Sequence, residues 1–321
     1  MDAEQKHRLL DSLVAGIESG CTVCGSYLGA LDSLHRTEIY TSLLFERLER
    51  KIRVVEQLRE ESDENWNQTF YLLYFRTLGD RQNQEAYLEL ARRVPYRFLL
   101  RERKTPHAVE AMLLGTSGLL DLYPDDSYTL NLQYEYRHLA AKYNLQAMSA
   151  KAWELHEVRP ANHPVLRLAQ AAEFFLQDEF VFNRVMACQT EQDIRELFCI
   201  ESSPYWRTHY IPGVESDEHP KRLGAFKAHI IGINLVAILQ FAYGALTGKE
   251  YLRDNALSLL ETLPPEDNRY MRLWRAEGVR PRDAFESQSL LQLLTEHCAK
   301  RGCHTCLIAR RLLHKMEREQ Q

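Results

Sequence analysis

Residues 37–61 read TEIYTSLLFERLERKIRVVEQLREE, an amphipathic run dense in good helix formers, and they predict one long helix. Working outward, the same signals recur while strand signals do not. Asp2 can cap a first helix to Gly20, with Leu9, Leu10, Leu13, Val14 and Ile17 on one face. Asp63 is placed to cap ENWNQTFYLLYFRTL, which Gly79 ends, and Asn83 starts a short helix stopped by Pro95. Pro106 fits the first turn of a helix through Leu114, and Asp126 caps one through Tyr143. Pro164 opens PVLRLAQAAEFFLQ and Thr190 opens EQDIRELF. After a Pro- and Gly-rich stretch, residues 224–247 form an apolar helix. NALSLLETL, a Pro264-started helix to Gly278, AFESQSLLQLLTEHCAK and a helix from Cys303 follow. The predicted fold is all-α, an irregular multi-helix array of helical hairpins. The segment YFRTLGDRQNQEAYLELARRVP resembles one tetratricopeptide-like hairpin, but it does not recur at a constant period. Residues 202–223 are the longest break and divide an N-terminal lobe, 1–201, from a C-terminal lobe, 224–321, packing as one domain.

Composition narrows the class. The 321 residues are 45% hydrophobic and 26% charged, as in ordinary globular proteins. The formal charge of −5 argues against nucleic acid as the main partner. The richest apolar stretch, Ala225 to Leu246, carries Lys227, His229, Asn234 and Gln240, so it reads as a core helix and not as a membrane span. The opening MDAEQKHRLLDS lacks a signal-peptide core, which predicts a cytoplasmic location, where disulfides are disfavoured.

Five of the seven cysteines lie in two short windows, Cys21 and Cys24 in CTVCG and Cys298, Cys303 and Cys306 in CAKRGCHTC. Closely spaced thiolates suit a tetrahedral zinc ion or an iron–sulfur cluster, and here they would bring the two ends of the chain together. Gly25 would free the backbone after Cys24 for a left-handed knuckle, Gly302 would close the helix holding Cys298, and Cys306 would follow Cys303 by one turn. His297 and His304 are spare ligands. The plainer reading is that these are buried thiols acting as small hydrophobes.

A second candidate site combines RPANHPVLRLAQ (159–170) with SPYWRTHY (203–210). Arg159, Asn162, His163 and Arg167 beside a helix start, with Trp206, Arg207, His209 and Tyr210 in the long loop, could form a cleft for an anionic guest. The same residues also fit a packing role, in which Trp206 and Tyr210 plug the loop onto the core and Asn162 or His163 caps the helix. The basic runs at 92–104 and 309–319 are interleaved with apolar residues at helical spacing, as solvated helix faces usually are. Asp125, Glu135 and Arg137 imitate a nuclease carboxylate spacing but fall where a capped helix is predicted. No phosphate-cradling loop or nucleophile elbow is present.

The strings EAMLLGTSGLL, RPANHPVLRLAQ, SPYWRTHY, INLVAILQFAYG, SQSLLQL and CAKRGCHTC resemble a bacterial family, domain of unknown function 2851. The resemblance implies no particular activity. It does imply longer members with a strand-rich acidic N-terminal segment similar to a restriction-nuclease core, after which this chain would begin. It also favours Cys24 over Cys21. The expected role is a non-enzymatic scaffold or interaction module with a structural metal, whose partner is a protein or such a nuclease-like segment. The alternatives are a nucleic-acid-binding accessory module and a metal-dependent hydrolase. The last needs an open coordination position that four or five thiolates would not leave.

Overall fold

A computed structural model describes residues 24–319 apart from position 125, so the expected first helix, Cys21 and Asp125 lie outside the described residues. The chain is predominantly helical and divides into two compact units. Among the described residues, one comprises 24–53 and 253–319, the other 54–252. The 202–223 stretch lies inside the second unit. The chain passes from one unit to the other within helix Ser33–Glu61 and again within helix Glu250–Thr262.

An apolar cluster anchors the first unit. Leu28, from helix Cys24–Ala30, meets Ile39, Tyr40 and Leu43, one face of helix Ser33–Glu61. Met271 and Trp274 of helix Arg269–Ala276 join them, with Leu290 and Leu293 from the helix that begins at Ala284 and Ile308 from helix Leu307–Glu319. Two of its buried polar groups are satisfied in place: Trp274 Nε1 donates to Leu290 O at 3.2 Å, and Ser289 Oγ donates to Tyr40 O at 2.8 Å.

In the second unit, helix Trp66–Leu78 presents Phe70, Tyr71, Tyr74 and Phe75 to Phe174 and Phe175 of helix Pro164–Leu176. Tyr74 stacks on Phe174 at 4.8 Å, and Tyr71 lies 5.2 Å from Phe175. These offset and tilted rings add directional contact to area burial. Helix Ala108–Thr116 is buried along its whole length and packs on helices Ser127–Tyr143 and Pro164–Leu176. Its crossing with the former requires Gly115, where a Cβ would stand 2.1 Å from the Tyr136 ring. Helix Ala225–Thr247 is 23 residues long, enough in length and composition to cross a bilayer, and 67% of its most apolar window is buried inside the protein, as the core-helix reading expects. Here it lies against helices Trp66–Leu78 and Glu191–Phe198 with Ala228, Ile231, Leu235, Val236 and Leu239 fully buried. Its middle, Gly232–Val236, is a π-helical turn.

Several starts agree with local chemistry. Asp126 accepts from Thr129 N at 2.8 Å, and Thr190 forms a capping box with Asp193. Others shift. Asn65, not Asp63, caps helix Trp66–Leu78, because Asp63 and Glu64 take left-handed conformations (φ +50° and +64°) that close the preceding helix. Asn268, not Pro264, opens helix Arg269–Ala276, where its side chain accepts from Tyr270 N and Met271 N. The last helix starts at Leu307, since Cys303–Thr305 form a turn. Within the long loop, His209–Ile211 pairs antiparallel with Val214–Glu215 across Pro212 and Gly213 (φ +73°). That hairpin is too short to leave a period-two signal in the sequence.

Candidate functional site

In the first unit, Cys298, Cys303 and Cys306 are buried members of the apolar cluster, and half-buried Cys24 packs against it. Cys24 opens helix Cys24–Ala30, and Cys298 ends a π-helical turn, Leu293–Cys298. Cys303 sits in the following turn, and Cys306 immediately precedes helix Leu307–Glu319. The reversal after Cys298 is closed by Arg301 at φ +55°, with Gly302 N donating to His297 O at 2.8 Å. The left-handed residue is therefore Arg301 and not Gly302. Gly25 is likewise helical and forms no knuckle. Its small size serves close packing, since a Cβ there would stand 2.5 Å from Glu277 Cβ. Burial pushes the thiols of Cys24 and Cys298 up to about 12, and the neighbouring cysteines add to the rise. Burial also raises Cys303, with Cys306 contributing. His297 is engaged by Glu46 at 2.8 Å, and His304 is exposed. Among the described residues, no three His, Cys, Asp or Glu side chains stand in an arrangement that holds a metal ion.

In the second unit, one half of the expected cleft lines a cavity, while the long-loop half, whose strand His209–Ile211 packs beside Pro160–Asn162, does not. Arg159, Asn162 and Arg167 line a cavity of about 250 Å³ together with Asp80, Asn83 and Glu157. Arg167 Nη2 donates to Asn162 Oδ1 at 2.7 Å and Nη1 to Gln170 Oε1 at 2.9 Å. His163 caps helix Pro164–Leu176, its Nδ1 accepting from Val165 N at 3.4 Å. The long-loop residues serve packing. Trp206 is 0% exposed and cannot form a stacking wall for a guest. Arg207 Nε donates to Glu201 Oε1 at 2.7 Å, His209 stacks on Tyr205 at 4.2 Å, and Tyr210 Oη lies 2.9 Å from His219 Nε2.

Burial holds His163 down at about 4. The unfolded chain, near the ordinary histidine value of about 6.5, therefore binds a proton that the folded chain refuses. Stability should fall as pH drops from about 6.5 to about 4, by no more than about 3 kcal/mol. Denaturant titrations of wild type and His163→Asn across that window check this, because the variant should lack that increment.

Sequence reasoning missed a buried, heavily bonded carboxylate in this unit. Glu110, 2% exposed, accepts from Trp206 Nε1 at 2.7 Å, Tyr128 Oη at 2.9 Å and Ser203 Oγ at 3.1 Å. Burial pushes its carboxyl up, and the three donors pull it partly back. Its one legible signal was a lone carboxylate in the apolar string EAMLLGTSGLL.

The arginines at 92–103 are largely paired. Arg92 clasps Glu61 through Nε (2.7 Å) and Nη2 (2.9 Å), Arg93 Nε meets Glu89 at 2.7 Å, and Arg103 Nη1 meets Glu179 at 2.9 Å. Reversing the charge of Arg97 and Arg101 should thus leave duplex DNA affinity within about twofold, with a log–log salt slope below about one. Fluorescence anisotropy measures this, and micromolar binding at physiological salt that the reversal destroys would contradict it.

A family model described as a protein of unknown function (DUF2851) matches residues 6–269. The match stops short of SQSLLQL and of the three C-terminal cysteines. No curated protein and no solved structure matches the chain.

Proposed function

The chain belongs to the DUF2851 family, and because that family's description assigns no activity, we propose its role from the geometry: a helical interaction module whose cysteine cluster is a closed structural zinc site. The observation that supports the reading is that Cys298, Cys303 and Cys306 are buried in one apolar cluster against which Cys24 packs, although more than 270 residues of sequence separate Cys24 from Cys298. Four sulfurs are the donor set that zinc takes in structural sites, and they leave no open position for a substrate or water. To bind, the ion would draw the four sulfurs to about 2.3 Å from a common centre. It would then fasten helix Cys24–Ala30 to the turn before helix Leu307–Glu319. A scaffold role is further supported by the ion pairs of Arg92, Arg93 and Arg103, which occupy three of the five arginines of the 92–103 run.

Elemental analysis of freshly purified, reduced protein should return about one zinc per chain. A colourless preparation with zinc supports the reading. Broad visible absorbance with iron would replace zinc by an iron–sulfur cluster. Metal-free protein of undiminished stability would overturn the site.

A further inference from the structure

The cavity beside Arg167 holds an unusual balance of buried charge. Arg167 is 7% exposed, yet both of its hydrogen-bond partners, Asn162 Oδ1 and Gln170 Oε1, are neutral amides. Gln170 in turn donates to Lys221 O at 3.0 Å, so the amide that faces the guanidinium is fixed from behind. A second buried cation, Lys227, donates to Thr77 O at 3.1 Å and to Asp80 Oδ1. Burial pushes Lys227 below the usual lysine range, Asp80 opposes the fall, and Arg167 adds to it. Burial likewise lowers Arg167, which also feels Asp80. One carboxylate, itself 59% exposed, thus stands near two buried cations. At the mouth, Arg159 is exposed, and Glu157 is exposed with its backbone at φ +56°. Among the residues that line the cavity Arg159 and Arg167 match Asp80 and Glu157, and Lys227, outside the lining, offsets Asp80 through their ion pair.

We propose that this cavity is a binding site for a small oxyanion, a phosphate group in the first place, held by Arg167 from below and Arg159 at the rim. A buried guanidinium engaged only by neutral amides keeps its full charge available, and its planar fork suits two oxygens of one anion. Asn162 and Gln170 fix the fork's direction before any guest arrives, which reduces the ordering cost of binding. The volume, about 250 Å³, falls below the roughly 300–1,000 Å³ of drug-sized sites and fits inorganic phosphate or the head of a phosphomonoester. Asp80 opposes any anion in the cavity, and its ion pair with Lys227 offsets that repulsion.

Inorganic phosphate is the probe. Against sodium chloride and sodium acetate at equal ionic strength, phosphate should raise the melting temperature saturably, and calorimetry should give one site per chain. Arg159→Ala, at an exposed position, should leave the phosphate-free melting temperature unchanged and weaken binding roughly tenfold. Arg167→Lys, which keeps the charge and loses the fork, should abolish it. If Arg167→Lys does not fold, Arg159→Ala decides the matter alone. Phosphate no better than chloride, or binding unchanged in Arg159→Ala, overturns the site. Acetate equal to phosphate overturns the phosphate assignment.

Discussion

Cys303→Ala and Cys306→Ala should each lower the melting temperature by far more than the loss of a buried sulfur explains. Plain buried thiols are small hydrophobes, and trimming one to alanine in a cluster of this kind should cost about 1–2 kcal/mol. A zinc site changes the scale. Structural zinc contributes roughly 10–16 kcal/mol of apparent binding free energy in peptides that fold around it, and loss of one ligand forfeits a large part of that. Even a third of it, about 3–5 kcal/mol, shifts the melting temperature by roughly 5 °C or more. The companion measurement is a melt with and without chelator. Wild type should fall towards the variants, and the variants should not respond further. Variants within about 2 °C of wild type, together with a chelator-insensitive wild type, would leave only the hydrophobic role.

The second large effect is expected at Trp206 and Glu110. Trp206→Ala removes a fully buried indole and should cost about 3–5 kcal/mol. Glu110→Ala strands the Trp206 donor, at about 1–3 kcal/mol without an acceptor, while Tyr128 and Ser203 lose their bonds to the carboxylate and keep the 3.0 Å contact between their hydroxyls. The two losses share the Trp206–Glu110 bond, so the double variant should be less destabilised than the sum of the singles. Glu110→Gln adds a pH signature. Burial raises the folded carboxyl above its unfolded value, so the native chain binds more protons as pH climbs through and above the carboxylate range. Wild type therefore loses stability with rising pH over that window, while the variant, with nothing to titrate there, does not. The gap between them should be widest in acid and narrow as pH rises, as chemical denaturation at a series of pH values will read. A gap that widens with pH would show that the three donors outweigh burial.

The helical class was legible because its signals are local. Asp126 and Thr190 announce their helices by residues three positions away, and the structure places their caps where the sequence does. Asp63 misled for an equally local reason: a left-handed closing turn occupies the two residues before the true cap, Asn65. Long-range polar chemistry was not legible. Trp206 and Glu110 are 96 positions apart, and no periodicity links an indole in a loop to a carboxylate in a buried helix. Arg167 could be picked out beside Arg159 and Asn162, which are its neighbours in sequence. Its electrostatic surroundings come from Asp80 and Lys227, which only the packing of separate helices supplies. Gly25 was noticed for the wrong property, because conformational freedom is a guess from sequence whereas the approach of Glu277 is a fact of packing.

The π-helical turn at Gly232–Val236 acts as a phase shifter. A helix advances by about 100° per residue, so one residue accommodated in a wide turn swings everything downstream by that angle relative to everything upstream. Upstream, the helix sets Lys227 against Thr77 and Asp80. Downstream, Gln240 Nε2 reaches the carbonyls of Val185, Met186 and Cys188 at the end of helix Val181–Ala187, the shortest at 2.7 Å. Deleting one residue between 232 and 236 would restore regular helical winding and keep every apolar residue type in the stretch, yet it could satisfy only one of the two bearings. Length is therefore constrained at this turn more tightly than identity: substitutions among apolar residues should be tolerated where a one-residue deletion is not.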